Sequence, residues 1–421
     1  MNLSIFKLAF KSLKFRKFSI GLTIFSLATS IMLFLFVDTV RVQAKDNFVN
    51  TVSDIDLIVG SRSGSIQLLL YSIFHIGNAT NNVSWDTYQK ISKHPRIAWS
   101  IPLSLGDSHK GYRVIGTQSD FFKYYRLRKN NKLAFNQGQP FSSSLEAVIG
   151  ANVAKQLAYT LNDEIILAHG MGSVNIAKHN NAPFKISGIL MPTGSTLDDS
   201  ILISLSDLEL IHIGWEHGVP TQKHLADINL EKHHDLEPKS ITAFLLKLKT
   251  KHDVFSTQRA INDYKKEPLL AILPGITLLE LWKVVSVIEK VLLLISAFVI
   301  ISAMLSMLAI ILSNLNSRRH EIAILRSMGV SPLGISLLLI IETEILILIS
   351  IILAVVFMYV FVAIIGPYIH SSFSILIELS TPTTFQISLL LIVLLGGLII
   401  SLIPAINAYR RTLQDGLTIR S

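Results

Sequence analysis

A P-loop holds a triphosphate with a glycine loop that carries a lysine, and the chain has no G-x-x-x-x-G-K-S/T run anywhere. Its nearest glycine-rich stretch, Gly60-Ser61-Arg62-Ser63-Gly64-Ser65, lacks the lysine and shows no strand-to-helix arrangement around it. A turn is the preferred reading there, and a substrate-side loop the second. Neutral imidazoles bind zinc well, and His212, His217, His224, His233 and His234 crowd one segment. Their spacing fits no closed metal site, so a solvated loop rich in histidine is preferred to a zinc-linked system. There is no cysteine, which removes disulfides, thiolate metal sites and thiol nucleophiles. No Ser/His/Asp or clustered-carboxylate arrangement stands out, so the chain reads as a protein that is not an enzyme and holds no cofactor or metal. Residues 317–329 have the marks of a short capped helix. Ser317 is its N-cap, Glu321 lies near the positive end of the dipole and Arg326 near the negative end, and Gly329 followed by Pro332 stops it.

The elements that would position these groups follow from hydropathy. Apolar stretches cover residues 18–37, 288–312, 333–365 and 385–405. A helix rises about 1.5 Å per residue and a bilayer core is about 30 Å thick, so each stretch is long enough to span. Half of the residues are apolar and only 16% are charged, but residues 40–274 are too polar for membrane. The fold expected is therefore four transmembrane α-helices with a large α+β extracytoplasmic, or periplasmic, domain between the first and second spans. Glu342 and Glu344 then fall two to three turns into the third span, where unpaired polar groups are costly, so both should face other helices. A proton or ion path is the functional reading; an interhelical hydrogen bond or a shallow position is preferred. Gly397, Ser401 and Ala405 form a small-residue stripe on the fourth span, suited to close helix packing.

The net charge of +9 would suggest nucleic acid in a soluble protein, but the positions of the charges give a different explanation. Lys7, Lys11, Lys14, Arg16 and Lys17 precede the first span. Arg318, Arg319 and Arg326 lie between the second and third, and Arg410, Arg411 and Arg420 follow the fourth. The loop over residues 366–384 has neither lysine nor arginine. The positive-inside rule puts both termini and the middle connector in the cytoplasm and the large domain outside. A signal peptide is the competing reading of the N-terminus, disfavoured by the length of its apolar run and the poor cleavage site Val42-Gln43-Ala44. Residues 1–17 carry Phe6, Phe10 and Leu13 beside Lys7, Lys11 and Lys14 at helical spacing, which describes an amphipathic helix on the inner leaflet as well as it describes a topology signal.

Between the first two spans, clusters of β-branched and apolar residues predict strands at 56–59, 99–103, 112–116, 146–149, 164–168, 184–190, 200–204 and 242–248. Helical patterns occupy 85–93, 119–125, 151–158 and 254–264, with loops at 78–84 and 170–183 and a long insertion at 214–240. Helical periodicity continues outward from the membrane at 40–49 and 276–290, as stalks would require. The domain map is 1–17 amphipathic helix, 18–39 first span, 40–283 soluble domain with stalks, and 284–421 membrane domain with the connector helix at 317–329.

Local sequence joined to this order of elements resembles the permeases of MacB/FtsX/LolC-type ABC transporters. The matching pieces are Glu146-Ala147-Val148-Ile149-Gly150 with Ala154 and Leu157, Asp163-Glu164-Ile165, and Phe184-Lys185-Ile186-Ser187-Gly188-Ile189-Leu190. Nearer the membrane they are Arg318-Arg319-His320-Glu321-Ile322-Ala323-Ile324-Leu325-Arg326-Ser327-Met328-Gly329, Pro404-Ala405 and Tyr409-Arg410-Arg411. Asn162 departs from the glycine usual before Asp163, and the insertion lies outside the pattern. The resemblance implies an inner-membrane permease subunit that works by mechanotransmission to export or extract a peptide, drug or lipid/lipoprotein cargo. ATP and Mg would sit on separate ABC ATPase subunits. Other implied partners are a second permease copy or paralogue, membrane lipid and a periplasmic accessory protein, with no nucleic acid. It makes 317–329 the coupling helix, in which Ile322, Leu325 and Met328 offer an apolar edge to the ATPase and Arg318, Arg319 and Arg326 its polar rim. A basic connector lying on lipid headgroups is the alternative for that segment. A regulator that activates a periplasmic partner is the alternative for the whole chain.

Overall fold

The structure is a computed structural model that describes residues 17–51, 54–127, 131–169, 182–213, 236–317, 319–373 and 377–414. The N-terminal amphipathic pattern and most of the insertion, with His217, His224, His233 and His234, lie outside the described residues. The chain divides into two compact units. One comprises Met1–Gln43, Ser286–Tyr368 and Ile377–Ser421, and the other Ala44–Val285 and Ile369–Leu376.

In chain order the helices are α1 (Lys17–Thr51), α2 (Ser65–Ile73), α3 (Trp85–Ser92), α4 (Asp120–Tyr124), α5 (Ala151–Leu157), α6 (Leu205–His212), α7 (Val254–Asn262), α8 (Pro274–Ser317), α9 (Arg319–Ser327), α10 (Pro332–Phe373) and α11 (Thr384–Gln414). The strands are β1 (Leu57–Ser61), β2 (Val83–Ser84), β3 (Ile97–His109), β4 (Tyr112–Thr117), β5 (Arg126–Leu127), β6 (Asn131–Lys132), β7 (Phe135–Gly138), β8 (Glu146–Ile149), β9 (Glu164–Ile165), β10 (Ala168–His169), β11 (Phe184–Leu190), β12 (Ser200–Ser204), β13 (Ser240–Ile241), β14 (Ala243–Leu248) and β15 (Leu269–Ile272).

The soluble unit is built on one mixed sheet in the order β15-β1-β14-β3-β4-β12-β8-β11-β7, with β10 added to β3 and β9 to β11. Side chains alternate across a strand, so a strand covered on both faces needs apolar residues at consecutive positions. The runs at 57–59, 147–149, 201–203 and 244–246 have that character. Ile58, Leu245, Ile101, Ile115, Leu202 and Val148 enter one core on a common face, capped by Leu68 and Leu69 of α2 and Phe121 and Phe122 of α4. On the other face Leu57, Val59, Phe244 and Leu246 meet Tyr88 of α3 and Val254 and Ile261 of α7. Further along it, Val114, Ala147, Ile149, Ile201 and Ile203 meet Val153 of α5 and Leu208 and Ile211 of α6.

Every strand expected from the sequence is present, with 164–168 split into β9 and β10. Helix α2, strand β7, helix α6 and strand β15 were not anticipated. Asn162 takes a left-handed backbone at φ 70°, which asparagine tolerates better than most residues, so the turn survives without the expected glycine. The Gly60 stretch is corrected: it does join a strand to a helix, running from β1 into α2. Gly60 lies so close under α2 that a Cβ would stand 2.7 Å from Leu68 Cδ1 and Tyr71 Oη, which makes its role one of packing.

In the other unit, and running on from it, four helices among the described residues are long and apolar enough to cross a membrane. Helix α8 has 44 residues and α10 has 42. At 1.5 Å per residue each is over 60 Å long, roughly twice the hydrocarbon thickness. The first turns of α8 belong to the soluble core, where Leu278 is buried with Leu281 and Trp282 against it.

His75 follows α2 with its Nδ1 3.2 Å from Ser200 Oγ. Burial, with the Arg113 guanidinium beside it, pushes its pKa down to about 3. The unfolded chain binds a proton at this side chain below about pH 6.5 and the folded chain does not, so the stability it contributes is present above that pH and lost as pH falls toward 3. Thermal melts of the full chain from pH 7 to pH 4 are expected to fall more steeply for the parent than for His75→Gln, by up to about 1.4 kcal/mol per pH unit. Parallel curves for the two would contradict this.

Candidate functional site

The connector between the second and third spans is the short helix α9. Its C-terminus closes as a Schellman motif: Val330 N donates to Leu325 O at 3.1 Å and Gly329 N to Arg326 O at 2.9 Å. Gly329 takes φ 86° there, a left-handed value that a side chain would strain. The next helix begins at Pro332, three residues later. Ser331 Oγ accepts from Gly334 N at 3.2 Å as its N-cap, and Pro332 holds its first position. Pro332 therefore opens α10 as well as ending the connector.

Which side of α9 is free is set by its packing. Ile322 lies against Ile335, Leu339 and Ala408, together with Leu312 and Val330. Ile322, half-buried, thus turns toward its own bundle. Leu325 and Arg326 are half-buried. The outward apolar side chains are Met328, 65% exposed, and Ile324, 59% exposed, four residues apart on one face. Ile324 was not singled out from the sequence, although the i, i+4 spacing was available to find it. Arg318 lies outside the described residues, as do the side chains of Ser317, Arg319 and Glu321.

Gly397 and Ala405 lie toward α10. A Cβ at Gly397 would fall 2.0 Å from Ile347 Cδ1 and 3.6 Å from Glu344 Oε1. Ser336 Oγ donates to Ala405 O at 3.0 Å, and Ser401 is fully buried. Glu342 is buried; Glu344 Oε1 is buried without a hydrogen-bond partner among the described residues. The stripe and Glu344, separate in the sequence, thus meet at one contact. On the opposite flank a Cβ at neighbouring Gly396 would stand 3.3 Å from Met304 Cε of α8.

A second polar cluster, which the sequence reading missed, ties α1 to the segment before α11. The Gln43 amide donates through Nε2 to Glu378 O and accepts through Oε1 from Glu378 N, both at 2.7 Å. Thr383 and Gln386 form a capping box at the start of α11, and Gln386 Nε2 also donates to Thr39 Oγ1 at 3.0 Å. Fully buried Asp38 accepts from Arg41 Nη2 at 2.8 Å, and the Arg41 guanidinium lies 5.6 Å from the centre of the Phe385 ring. Asp38 and Arg41 follow an apolar run and were not singled out from the sequence. A Thr-x-x-Gln box ahead of α11 was the available signal for the clamp.

His212 of the histidine-rich segment places Nε2 3.3 Å from Asp107 Oδ2. Among the described residues no three His, Cys, Asp or Glu side chains form a metal-sized group.

Four long apolar helices, an α+β domain inserted after the first, and a capped connector between the second and third define a multi-pass membrane protein with one large soluble domain. The profile of the FtsX-like permease C-terminal domain matches residues 293–415, and that of the MacB-like periplasmic core domain matches residues 19–264. The second match covers more than half of the chain, which belongs to the MacB/FtsX-type permeases of the type VII ABC transporter family. Among solved structures it is similar to the periplasmic region of MacB from Actinobacillus actinomycetemcomitans, at 12% identity and a TM-score of 0.33 over 54% of this chain and 94% of that one. The extracellular domain of the ABC-type transporter YknZ from Gram-positive bacteria is similar at 10% identity and a TM-score of 0.30, over 52% of this chain and 98% of that one. No curated protein sequence matches. The family implies a non-enzymatic transmembrane subunit with ATPase partners.

Gly397→Val is expected to lower stability in detergent by about 1–3 kcal/mol through overpacking against Ile347, and a second change, Ile347→Ala, to restore most of it. Melting temperatures of the single and double variants check this.

Proposed function

We propose that this permease couples ATP hydrolysis on a separate ABC ATPase to movement of an extracytoplasmic domain, and that α9 is the coupling helix. One observation carries the reading. A short helix, capped at its C-terminal end and sealed to the bundle by Ile322, leaves Ile324 and Met328 exposed side by side between two membrane helices. In water such a pair gains by entering an apolar groove, and the arginines of 318, 319 and 326 suit the polar rim of that groove. ATP and Mg belong to the ATPase, and this chain supplies the surface that follows its closure.

Motion at α9 would pass along α8, whose hydrogen-bonded backbone resists compression and whose first turns are part of the soluble core. The clamps at Gln43 and Gln386 would make α1 follow α11 and the segment before it. Cargo then need not pass between the spans; a change in the soluble domain's grip is enough. A peptide, drug or lipid/lipoprotein cargo, exported or extracted, fits this mode of action, with two permease subunits and two ATPases in the working assembly. The basic flanks support an inner-membrane orientation with both termini in the cytoplasm.

Ile324→Glu and Met328→Glu are expected to abolish co-purification with the ATPase and stimulated ATP turnover while leaving membrane insertion and melting temperature unchanged. Ile322→Glu should instead lower the melting temperature, because it places a charge in the α9–α10–α11 cluster. Arg326→Ala should weaken coupling without affecting insertion. Normal ATPase binding by both Ile324→Glu and Met328→Glu would refute the assignment.

A further inference from the structure

Strands β4 and β12 lie side by side and parallel, with Thr117 opposite Ser204 at their carboxyl ends. Beyond those ends the chain leaves for opposite faces of the sheet. Phe121 and Phe122 of α4 join Ile115 and Leu202 on one face. Leu208 and Ile211 of α6 join Val114, Ile201 and Ile203 on the other, with Leu208 over Gly116. Two neighbouring parallel strands whose following helices diverge in this way must leave a crevice at their carboxyl ends, which is where open α/β sheets hold ligands. A cleft of about 660 Å³ opens at this point, within the soluble unit.

The chemistry of the lining narrows what would fit. Ser119, Ser142 and Ser143 present exposed hydroxyls, and Ser206 a half-exposed one. Ser142 and Ser143 are held by their backbone N–H groups, which both donate to Glu146 Oε2, at 2.8 and 3.1 Å. The charged groups on the lining are Asp120, exposed, and Glu237, which accepts from Gln89 Nε2 at 2.8 Å. Among the described residues lining the cleft there is no Lys, Arg or His. The Trp85 indole supplies an apolar wall braced against Tyr88, with ring centres 4.8 Å apart. Among the described residues lining the cleft, a phosphate or carboxylate would meet two like charges and no cation; Lys123, on the same helix as Asp120 and within reach of its charge, is not part of that lining. A cationic group would meet a carboxylate, hydroxyl acceptors and an aromatic ring.

We propose that this cleft binds a polar ligand bearing a primary ammonium group, with Asp120 as its charge partner, the serine hydroxyls as acceptors and Trp85 as its wall. The site is independent of how an ATPase docks on α9, so it stands or falls apart from the coupling reading. Primary ammonium occurs on peptides, polyamines and amino sugars, and separate probes distinguish these sources.

The test uses the full chain in nanodiscs, titrated with trilysine amide, spermidine and glucosamine and followed by calorimetry and tryptophan fluorescence. Saturable binding of at least one of these is expected, and the tightest identifies the source. The same probe should bind about fivefold more weakly to Asp120→Asn, the scale of one partly exposed charge pair, with no change in melting temperature. The fluorescence change should vanish in Trp85→Phe. N-acetylglucosamine and citrate should not bind. Failure of all three amines to bind, unchanged affinity in the folded Asp120→Asn protein, or equal binding of N-acetylglucosamine would overturn the proposal.

Discussion

A backbone in hydrocarbon has no water to bond with, so each crossing segment must satisfy its own N–H and C=O groups, and this constraint governs the rest of the molecule. It requires α8 and α10 to be unbroken where they cross, and each runs on well beyond the bilayer core. It also limits the places where the membrane chain can turn to short capped joints such as Gly329 to Pro332. Hydroxyls inside the helices obey the same constraint by bonding back to their own helix: Thr23 to Ser19 O, Ser30 to Ser26 O, Thr343 to Leu339 O and Ser350 to Leu346 O. Such groups are spent locally. Gln386 and Ser336 instead bond from one helix to another, and Gln43 bonds from α1 to the segment before α11.

Much of this was legible in the amino-acid sequence because it depends on one-dimensional signals. Length and hydropathy define the spans, and apolar runs in the 57–59, 147–149, 201–203 and 244–246 regions mark strands covered on both faces. The glycine at 329 marks a helix end because few other residues adopt its backbone angle. What was missed lacks such a signal. Residues 65–73 hold an apolar run too short to separate helix from strand by periodicity. Helix α6 follows β12 directly, with Ser204 ending one and capping the other, so no loop announces it. Strand β7 has mostly exposed residues and gains its place by pairing with β11 and by the contact of Phe135 with the core.

At the connector the limitation is of another kind. An amphipathic helix with apolar residues at 322, 324, 325 and 328 offers two overlapping stripes, and only the presence of Ile335, Leu339 and Ala408 decides that Ile322 turns inward. Asp38 and Arg41 were illegible for a similar reason: an ion pair three residues apart at the end of an apolar run looks like the edge of a span until Phe385 and Gln386 are seen against it. The cleft at the ends of β4 and β12 is a property of topology, created by the opposite departures of α4 and α6, and no local sequence records it.

Transmission from an ATPase to the soluble domain requires the connector and that domain to lie on opposite sides of the membrane. Because the chain has no cysteine, single substitutions can report this without background. The decisive measurement is labelling of Met328→Cys and Ser142→Cys, in otherwise unchanged protein, with a membrane-impermeant maleimide in spheroplasts. The account predicts that position 142 reacts in intact spheroplasts and position 328 only after permeabilisation. Reaction of position 328 in intact spheroplasts, with protection of position 142, would contradict it.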